Sequence, residues 1–437
     1  MSKILDAVAP PRLGRGFRWL LASSWTSNLG DGIALAAGPL LIASETRSPL
    51  LVSMAVLLQQ LPWLLFGLYA GAIADRVDRL RLVVVADLLR AVVLVALGAT
   101  ILTDVVNIGV VLGALFLIGT AEVFADTSTG TLMPMLVQKR DLGIATARLQ
   151  TGYITLNQLA GAPIGAALFA TGRAFPFGVQ VVGVLLAIVL VLRISLPKGP
   201  VRDVVDTHVW HDIGDGVRWL LAHPPVRTLT LVILTFNITW AAGWSVLVLY
   251  SLDVVHLGSV GFGLLTSAAA VGGLASTVSY GWLERHVPLA TLMRVCLLLE
   301  VVMHAALALT RQGWLALLIL FVFGMYAFVW GALSAAIRQR AVPTEYQGRV
   351  GSVYGVGVYG GIVAGSALGG VIAEHWGLTA PFWFAFVGSG ITLALVWRQL
   401  GHIAHADEAA QHDDPLDGVS AAPPPAPSAG AGTPPGS

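Results

Sequence analysis

Long apolar runs, separated by short polar segments, repeat along most of the chain. A helix needs about 20 mostly apolar residues to cross the ~30 Å hydrocarbon layer of a bilayer. Twelve stretches meet that requirement: residues 17–43, 50–74, 80–102, 105–129, 146–171, 174–194, 228–252, 260–282, 289–310, 313–337, 350–374 and 378–400. Barrel strands would be about 9–11 residues long and would alternate apolar with polar positions. The pattern therefore predicts an all-α protein with twelve transmembrane helices.

Composition points to the same class. Of 437 residues, 56% are hydrophobic and 11% are charged, and the mean hydropathy is +0.80. Soluble domains carry about 25% charged residues. The basic start of the chain resembles a signal peptide, but no A-x-A-like site ends the first apolar run, so we expect that run to be the first span. The single cysteine, Cys296, excludes an intramolecular disulfide and a thiolate metal cage.

The positions of Lys and Arg predict which connections face the cytoplasm. With a cytoplasmic amino terminus, the outer connections hold only Arg47, Arg173 and Arg311, and the strongly cationic connections lie inside. We therefore expect a multi-pass protein of a bacterial plasma membrane, with both termini in the cytoplasm.

The same boundaries divide the chain into five segments. The middle connection carries apolar residues at helical spacing opposite charged ones, which predicts an amphipathic helix on the inner membrane surface. The end of the chain is rich in Pro, Ala and Gly, which predicts disorder. The segments are a cytoplasmic start 1–16, a six-helix bundle 17–194, a central loop 195–227, a second six-helix bundle 228–400 and a cytoplasmic tail 401–437.

An internal repeat relates the two predicted bundles at an offset of 204 to 209 residues. It places Asn28 on Asn237, Gly161 on Gly365 and Gly165 on Gly369. Two repeated halves in the same orientation imply a pseudo-twofold axis along the membrane normal, with a binding site between the halves.

The connection after the second span reads "GAIADRVDRLRL", and its sequence is similar to that of a known family. It resembles the cytoplasmic signature between helices 2 and 3 of the major facilitator superfamily, and the twelve spans and central loop agree with that resemblance over residues 17–400. The stretches 45–79 and 86–95 are similar to drug:proton antiporters and to enterobactin and macrolide exporters. The resemblance implies the major facilitator fold, with helices 1, 4, 7 and 10 around a central cavity. One departure is Asp78, where the superfamily pattern usually has glycine.

The loop itself is interpreted as a cytoplasmic latch. Gly71 permits close helix approach, and Asp75 can accept hydrogen bonds at a helix start. Arg76, Arg79 and Arg81 can pair with Asp75 or with lipid phosphates. The alternative is a cationic anchor with no dynamic role.

The stretch "QTGYITLNQLAGAPIGAAL" resembles the helix-5 antiporter motif, with two of its positions changed. Gly161 and Gly165 form a small-x-x-x-small face for close helix packing, and Pro163 predicts a kink. The resemblance favours export, and ordinary tight packing remains the alternative.

Three acids in predicted spans are candidates for proton coupling or substrate contact: Asp31, Glu122 and Asp126. An ionised acid at mid-bilayer costs at least ~2.5–3.5 kcal/mol, so such residues usually face a cavity or a bundle interior. Loss of hydration favours the protonated form of a carboxyl group. The alternative is that Asp31 only fixes a packing angle and that Asp126 is structural or part of a gate.

Two further charged pairs lie in spans that the resemblance makes peripheral. Asp87 and Arg90, three residues apart, can neutralise each other. Glu300 and His304, four residues apart, form a possible proton relay of lower rank.

Polar and aromatic residues of the spans are expected to line a substrate cavity. Rings one helical turn apart can stack apolar or cationic ligands. The expected cavity residues are Asn28, Gln59, Gln60, Asn157, Gln158, Asn237, Trp240, Trp244, Tyr326 and Trp330.

These features predict a monomeric, proton-coupled exporter of hydrophobic or amphipathic drugs or secondary metabolites. The chain carries no Walker sequence and no metalloprotease or hydrolase motif, so no ATP drive, enzyme activity, cofactor or metal is expected, and no nucleic-acid partner. An importer or lipid-moving protein of the same fold is one alternative. A non-transporting membrane receptor is another.

Overall fold

The computed structural model describes residues 10–195, 209–343 and 346–412, without the side chains of Asp75, 209–213 and 402–412. Parts of the predicted cytoplasmic start (1–9), central loop (196–208) and disordered tail (413–437) lie outside the described residues. Within the described part every regular element is helical. Nine of the described helices are long and apolar enough to cross a membrane.

The first six long helices run through the N-terminal half. They are α1 (Gly14–Glu45), α2 (Pro49–Arg76), α3 (Arg79–Leu102), α4 (Ile108–Leu136), α5 (Leu142–Thr171) and α6 (Phe175–Val191). Three of these helices are capped at their N-termini by a side chain from the preceding connection. Ser48, Asp78 and Asn107 accept hydrogen bonds from backbone N–H groups in the first turns of α2, α3 and α4. Asp78, the departure from the superfamily pattern, is thus the N-cap of α3.

The remaining helices follow the central connection. They are α7 (Val209–Ala222), α8 (Pro224–Trp244), α9 (Gly258–His286), α10 (Leu289–Leu309), α11 (Gly313–Ala341), α12 (Gln347–Trp376) and α13 (Ala380–His412). The last helix continues beyond the predicted boundary at 400. After α8, a short turn Leu247–Leu249 leads into a π-helical turn Tyr250–Val254.

Helix α5 is not uniformly wound. Its middle third, Tyr153–Gly161, is π-helical, between α-helical segments Leu142–Gly152 and Ala162–Thr171. Pro163 has no backbone N–H to donate to the preceding turn, and a widened turn commonly relieves such a missing bond. The predicted kink therefore takes the form of a π-helical segment.

The same helix pairings occur in both halves. In the N-terminal half α1 packs on α5 and α6, α2 on α4, and α3 on α4 and α6. In the C-terminal half α8 packs on α12 and α13, α9 on α11, and α10 on α11 and α13. These five pairings correspond one to one under the sequence repeat.

Glycines explain why the repeated pairings are close. A Cβ on Gly161 or Gly165 would overlap the α1 backbone at Gly32 and Ile33, so only glycine fits there. Gly365 and Gly369 face the α8 backbone in the same way. The predicted repeat is therefore also a repeat of helix contacts.

Two pairings join the halves: α2 with α12, and α5 with α9. Trp63 of α2 stacks on Tyr359 of α12, with ring centroids 5.5 Å apart. Ser267 of α9 donates a hydrogen bond of 2.8 Å to the Leu159 carbonyl of α5. These contacts bring the two halves together around a shared space.

Candidate functional site

A central cavity of about 460 Å³ lies between the two halves. Residues of α1, α2, α5, α8, α9, α11 and α12 line it. Most of this lining is apolar, and its polar side chains come mainly from α2 and α5. Of the expected cavity residues, it contains Gln59, Gln60, Asn157, Gln158, Trp240 and Trp244.

Stacked aromatic rings form the wall of the cavity on the α8 side. The rings of Trp240 and Trp244 lie 4.9 Å apart, and the ring of Phe323 lies 6.4 Å from Trp240. The Trp240 indole N–H and the Asn157 Oδ1 are buried and have no hydrogen-bond partner among the described residues. Because buried polar groups are normally paired, these two atoms are available to a bound molecule or to water.

A second cavity of about 360 Å³ adjoins the first within the C-terminal half. The two cavities share Trp240, Phe323, Ala327 and Ile362. The remaining expected residues Asn237, Tyr326 and Trp330 line this second cavity instead of the central one. Asn28 lines neither cavity, and its side-chain amide donates to the Ser24 carbonyl at 2.7 Å.

Glu300 sits in the wall of the second cavity. Its side chain is 8% exposed, and both of its oxygens are engaged. Tyr326 donates to Oε2 at 2.7 Å, and His304 Nε2 lies 3.1 Å from Oε1. The pair predicted from spacing therefore exists, and Tyr326 is a third member that the sequence did not reveal.

Asp31 is held by an arginine that the sequence analysis had paired elsewhere. Arg90 of α3 is 1% exposed and forms an ion pair with Asp31 of α1. The partner expected from the sequence, Asp87, lies 3.8 Å from the same guanidinium group. Ser27 contributes contacts of 3.3 Å to both Asp31 and Arg90.

The glycines on either side of Asp31 direct it toward α3. Gly32 packs on the α5 backbone at Asn157, and Gly30 packs on Gln180 of α6. With these two faces of α1 closed, the carboxylate is left facing Arg90. The run of small residues around Asp31 thus reflects helix packing on both sides of an ion pair.

Glu122 and Asp31 face a small cavity of about 40 Å³. Gln59 and Gln60 line both this space and the central cavity, so the two are neighbours. Asp126 is exposed one turn further along α4. Helix α4 therefore borders this side space, whereas the expectation had been that helix 4 lines the central cavity.

The loop between α2 and α3 differs from the expected latch in one respect. A Cβ on Gly71 would meet no atom within 4 Å, so this glycine does not serve close packing here. Arg79 donates to the Ala74 carbonyl at 3.2 Å, Arg81 lies 3.9 Å from Asp78, and Arg76 is exposed. The side chain of Asp75 lies outside the described residues.

The halves meet at one end of the bundle and separate at the other. At the end carrying the α1–α2 connection, Arg47 binds Asp253 at 3.2 Å, and Glu374 accepts hydrogen bonds from Ser48 and Leu50. At the opposite end, Gly67 and Gly71 of α2 and Gly351 and Gly355 of α12 have open space beside them.

Comparison with known proteins places this arrangement in a family. The model of a major facilitator family described as "Transmembrane secretion effector" matches residues 6–420. The chain belongs to this family. The expected resemblance to exporters of the major facilitator superfamily is thereby confirmed.

Three relatives of this chain are named as efflux proteins or exporters. The "Multidrug efflux pump Tap" of Mycolicibacterium fortuitum is 27% identical, with 83% of this chain and 90% of the relative covered. "Macrolide efflux protein A" of Streptococcus pyogenes is 22% identical, covering 84% and 91%. "Enterobactin exporter EntS" of Escherichia coli K12 is 25% identical, covering 88% and 92%.

Solved transporter structures share the fold. An inward-facing bacterial homologue of the iron transporter ferroportin superposes with a TM-score of 0.72 at 17% identity, covering 88% of this chain and 98% of that one. The nucleoside transporter NupG superposes with a TM-score of 0.67 at 12% identity, covering 92% and 100%. The protein is thus a membrane transporter of the major facilitator type.

Proposed function

We propose that this protein is a proton-coupled exporter that moves hydrophobic or amphipathic small molecules out of a bacterial cell by alternating access. It works as a monomer of twelve spans in two six-helix bundles, with both termini in the cytoplasm. The observation that carries the proposal is the central cavity between two similarly packed halves, with polar contacts between the halves at the end near Arg47 and open space beside glycines of α2 and α12 at the other.

The direction of transport follows from the loop charges and the closed end. With the cationic connections inside, the closed end at Arg47 and Asp253 faces outward, and the separated end faces the cytoplasm. The cavity then loads from the cytoplasm, and rocking of one half against the other opens it outside. The named efflux relatives support export over import.

Coupling to protons is assigned to the acids around Arg90. One guanidinium group faces Asp31 and Asp87, and Glu122 shares the small cavity with Asp31. The carboxyl groups outnumber the single cation, so a proton lowers the cost of burying the excess charge. In the proposed mechanism Asp31 keeps its charge against Arg90, and Glu122 takes up and releases the proton. Asp126, nearer the separated end, connects Glu122 with water.

The substrate class follows from the cavity lining and from the relatives. Aromatic and aliphatic side chains surround a few amide groups, which suits an amphipathic molecule with several hydrogen-bonding groups. The relatives are named for multidrug, macrolide and enterobactin efflux. A membrane potential supplies ~2.3 kcal/mol per charge per 100 mV toward uphill export.

The first experiment measures proton flux through the purified protein in liposomes loaded with a pH-sensitive dye. A proton gradient is imposed, and a macrolide, a catecholate siderophore and a lipophilic cationic dye are added in turn. We expect at least one of them to trigger proton movement through the wild type. We expect Glu122→Gln and Asp31→Asn to reduce that movement by about tenfold or more, since each removes a carboxyl group of the cluster.

Asp104→Asn serves as the matched control. It makes the same chemical change at an exposed connection, and asparagine tolerates the positive φ of 54° found there. Substrate movement without proton flux in the wild type, or unchanged flux in both cluster variants, would refute proton coupling by these acids.

A further inference from the structure

Glu300 differs from Asp31 in how its charge is balanced. Asp31 is in contact with the Arg90 guanidinium group, whose positive charge is permanent. Among the described residues, the one basic side chain within 4 Å of Glu300 is His304, which is charged only when protonated. A buried carboxylate without a permanent cation is stabilised either by a nearby positive charge or by taking up a proton, so a cationic ligand can supply what Glu300 lacks.

The surroundings of Glu300 suit a cation. Several aromatic rings line the same cavity, and ring faces attract cations when water is excluded. Asn237 adds a polar side chain to this wall. The rings are those of Phe236, Trp240, Phe323, Tyr326 and Trp330.

The arginine that lines this cavity is in contact with an aromatic ring and forms no ion pair with Glu300 among the described residues. Arg338 follows Tyr326 by twelve residues on α11, which is about 18 Å along a helix. Its guanidinium carbon lies 3.9 Å from the ring centroid of Tyr354. The guanidinium group of Arg338 is thus engaged by an aromatic ring, and the carboxylate of Glu300 by Tyr326 and His304.

Two neighbours fix the orientation of the carboxylate. Tyr326 and His304 each contact one of its oxygens from different helices, α11 and α10. A side chain held in this way loses little further freedom when a ligand binds, so its charge is presented in a fixed position. Tyr326 and His304 are therefore positioning residues for Glu300.

We propose that the second cavity is the subsite for the positive group of a lipophilic organic cation, bound by Glu300 among the aromatic rings. The apolar remainder of the molecule extends past Trp240 and Phe323 into the central cavity. This inference rests on the proposed transport function, and it separates the tasks of the two halves. Protons are exchanged at the N-terminal acids, and the cation is recognised in the C-terminal half.

Equilibrium binding of radiolabelled tetraphenylphosphonium to the detergent-purified full chain tests the subsite without requiring transport. Neutral triphenylphosphine oxide, which lacks the charge, is the comparison ligand. We expect Glu300→Gln to raise the Kd of tetraphenylphosphonium by about tenfold or more while the Kd of the neutral ligand changes less than about twofold.

Three variants serve as controls for this measurement. Glu300→Asp keeps the charge and should retain part of the affinity. His304→Gln keeps an N–H donor without a titratable ring, so tetraphenylphosphonium should still bind within about threefold of the wild type. Asp104→Asn, at an exposed connection outside both cavities, should leave the cation affinity unchanged.

Unchanged tetraphenylphosphonium binding in a folded Glu300→Gln protein would overturn the subsite, and so would an equal loss of both ligands. Folding of each variant is checked by its elution in size-exclusion chromatography and its unfolding midpoint. Failure of the proposed transport function gives a different result: binding remains sensitive to Glu300, but no proton flux follows substrate addition.

Discussion

At the scale of single residues, Arg90 is the side chain on which the N-terminal acids depend. It is buried, contacts Asp31 and lies near Asp87. Burying any of these charges alone would be costly, whereas together they compensate each other. The cluster therefore contributes to helix packing as well as to the proposed coupling.

We predict that Arg90→Gln destabilises the protein, because it leaves two acids in the protein interior without their cation. Removing one partner of a buried ion pair costs about 3–5 kcal/mol. Thermal unfolding of the purified protein in detergent should show a clearly lower midpoint. The double variant Arg90→Gln with Asp31→Asn should recover part of the loss, and an equal midpoint for single and double variants would contradict the ion pair.

Sequence reasoning identified most of these residues and their neighbours within one helical turn, but not their partners on other helices. Asp31 and Glu300 were recognisable, since an acid in an apolar run is conspicuous at any position. The Asp31–Arg90 pair joins residues 59 positions apart, and the Glu300–Tyr326 pair joins residues 26 positions apart. Which faces of two helices meet depends on packing that a single apolar run does not specify. Local spacing therefore favoured Asp87 as the partner of Arg90.

At the scale of elements, close packing through glycine determines how α5 sits on α1. Gly161 and Gly165 contact the α1 backbone directly, next to the turn that carries Asp31. On its other side α5 contacts α9 of the second half, where a Cβ on Gly263 would lie 2.8 Å from the Ala162 carbonyl oxygen. Helix α5 therefore connects the acid cluster with the boundary between the halves.

We predict that Gly165→Ala lowers stability by about 1–3 kcal/mol, since the added methyl group overlaps the α1 backbone at Ile33. Gly113→Ala on α4 is the matched control, because its methyl group meets no atom within 4 Å. In the control, alanine should be neutral or slightly stabilising within a helix. Unfolding midpoints of both variants in the same detergent provide the measurement, and similar midpoints would contradict the proposed packing role.

Most of the long helices were predictable, because a run of about 20 apolar residues is easily recognised in a sequence. The ends of the helices and their π-helical turns were less predictable. Helix α4 continues to Leu136, beyond the predicted end at 129, and α8 ends at Trp244 before a π-helical turn. Where a helix ends depends on local capping and backbone geometry, which hydropathy alone does not specify.

At the scale of the whole molecule, polar contacts between the halves concentrate at the closed end. The Arg47 and Asp253 side chains are 66% and 43% exposed, so their pair contributes modestly in water. Beside them, a Cβ on Gly370 of α12 would overlap Ser53 of α2, which marks close contact between the halves. The closed end is thus held mainly by packing, with exposed polar contacts around it.

We predict that the double variant Arg47→Ala with Glu374→Ala raises the population of the state that is open at the Arg47 end. The expected increase is roughly two- to fivefold, which corresponds to a change of about 0.5–1 kcal/mol in the free-energy difference between the two states. Spin labels at Val77 and Gly351, in a Cys296→Ala background, report the distance across the separated end. Shorter distances should gain population in the double variant. Lys139→Ala with Arg140→Ala, at the other end of the N-terminal half, is the control. An unchanged distance distribution in the Arg47/Glu374 variant would show that these contacts do not hold the end closed.

The repeated helix pairings are what the joining of two copies of one six-helix unit would produce. A chain that arose by joining two copies of one unit inherits each packing contact twice, and the glycines at 161 and 165 still match those at 365 and 369. The polar side chains have diverged instead: one copy carries an arginine with its acids, and the other a glutamate with a histidine and a tyrosine. Duplication preserved the scaffold in both copies and left each interior free to acquire a different chemistry.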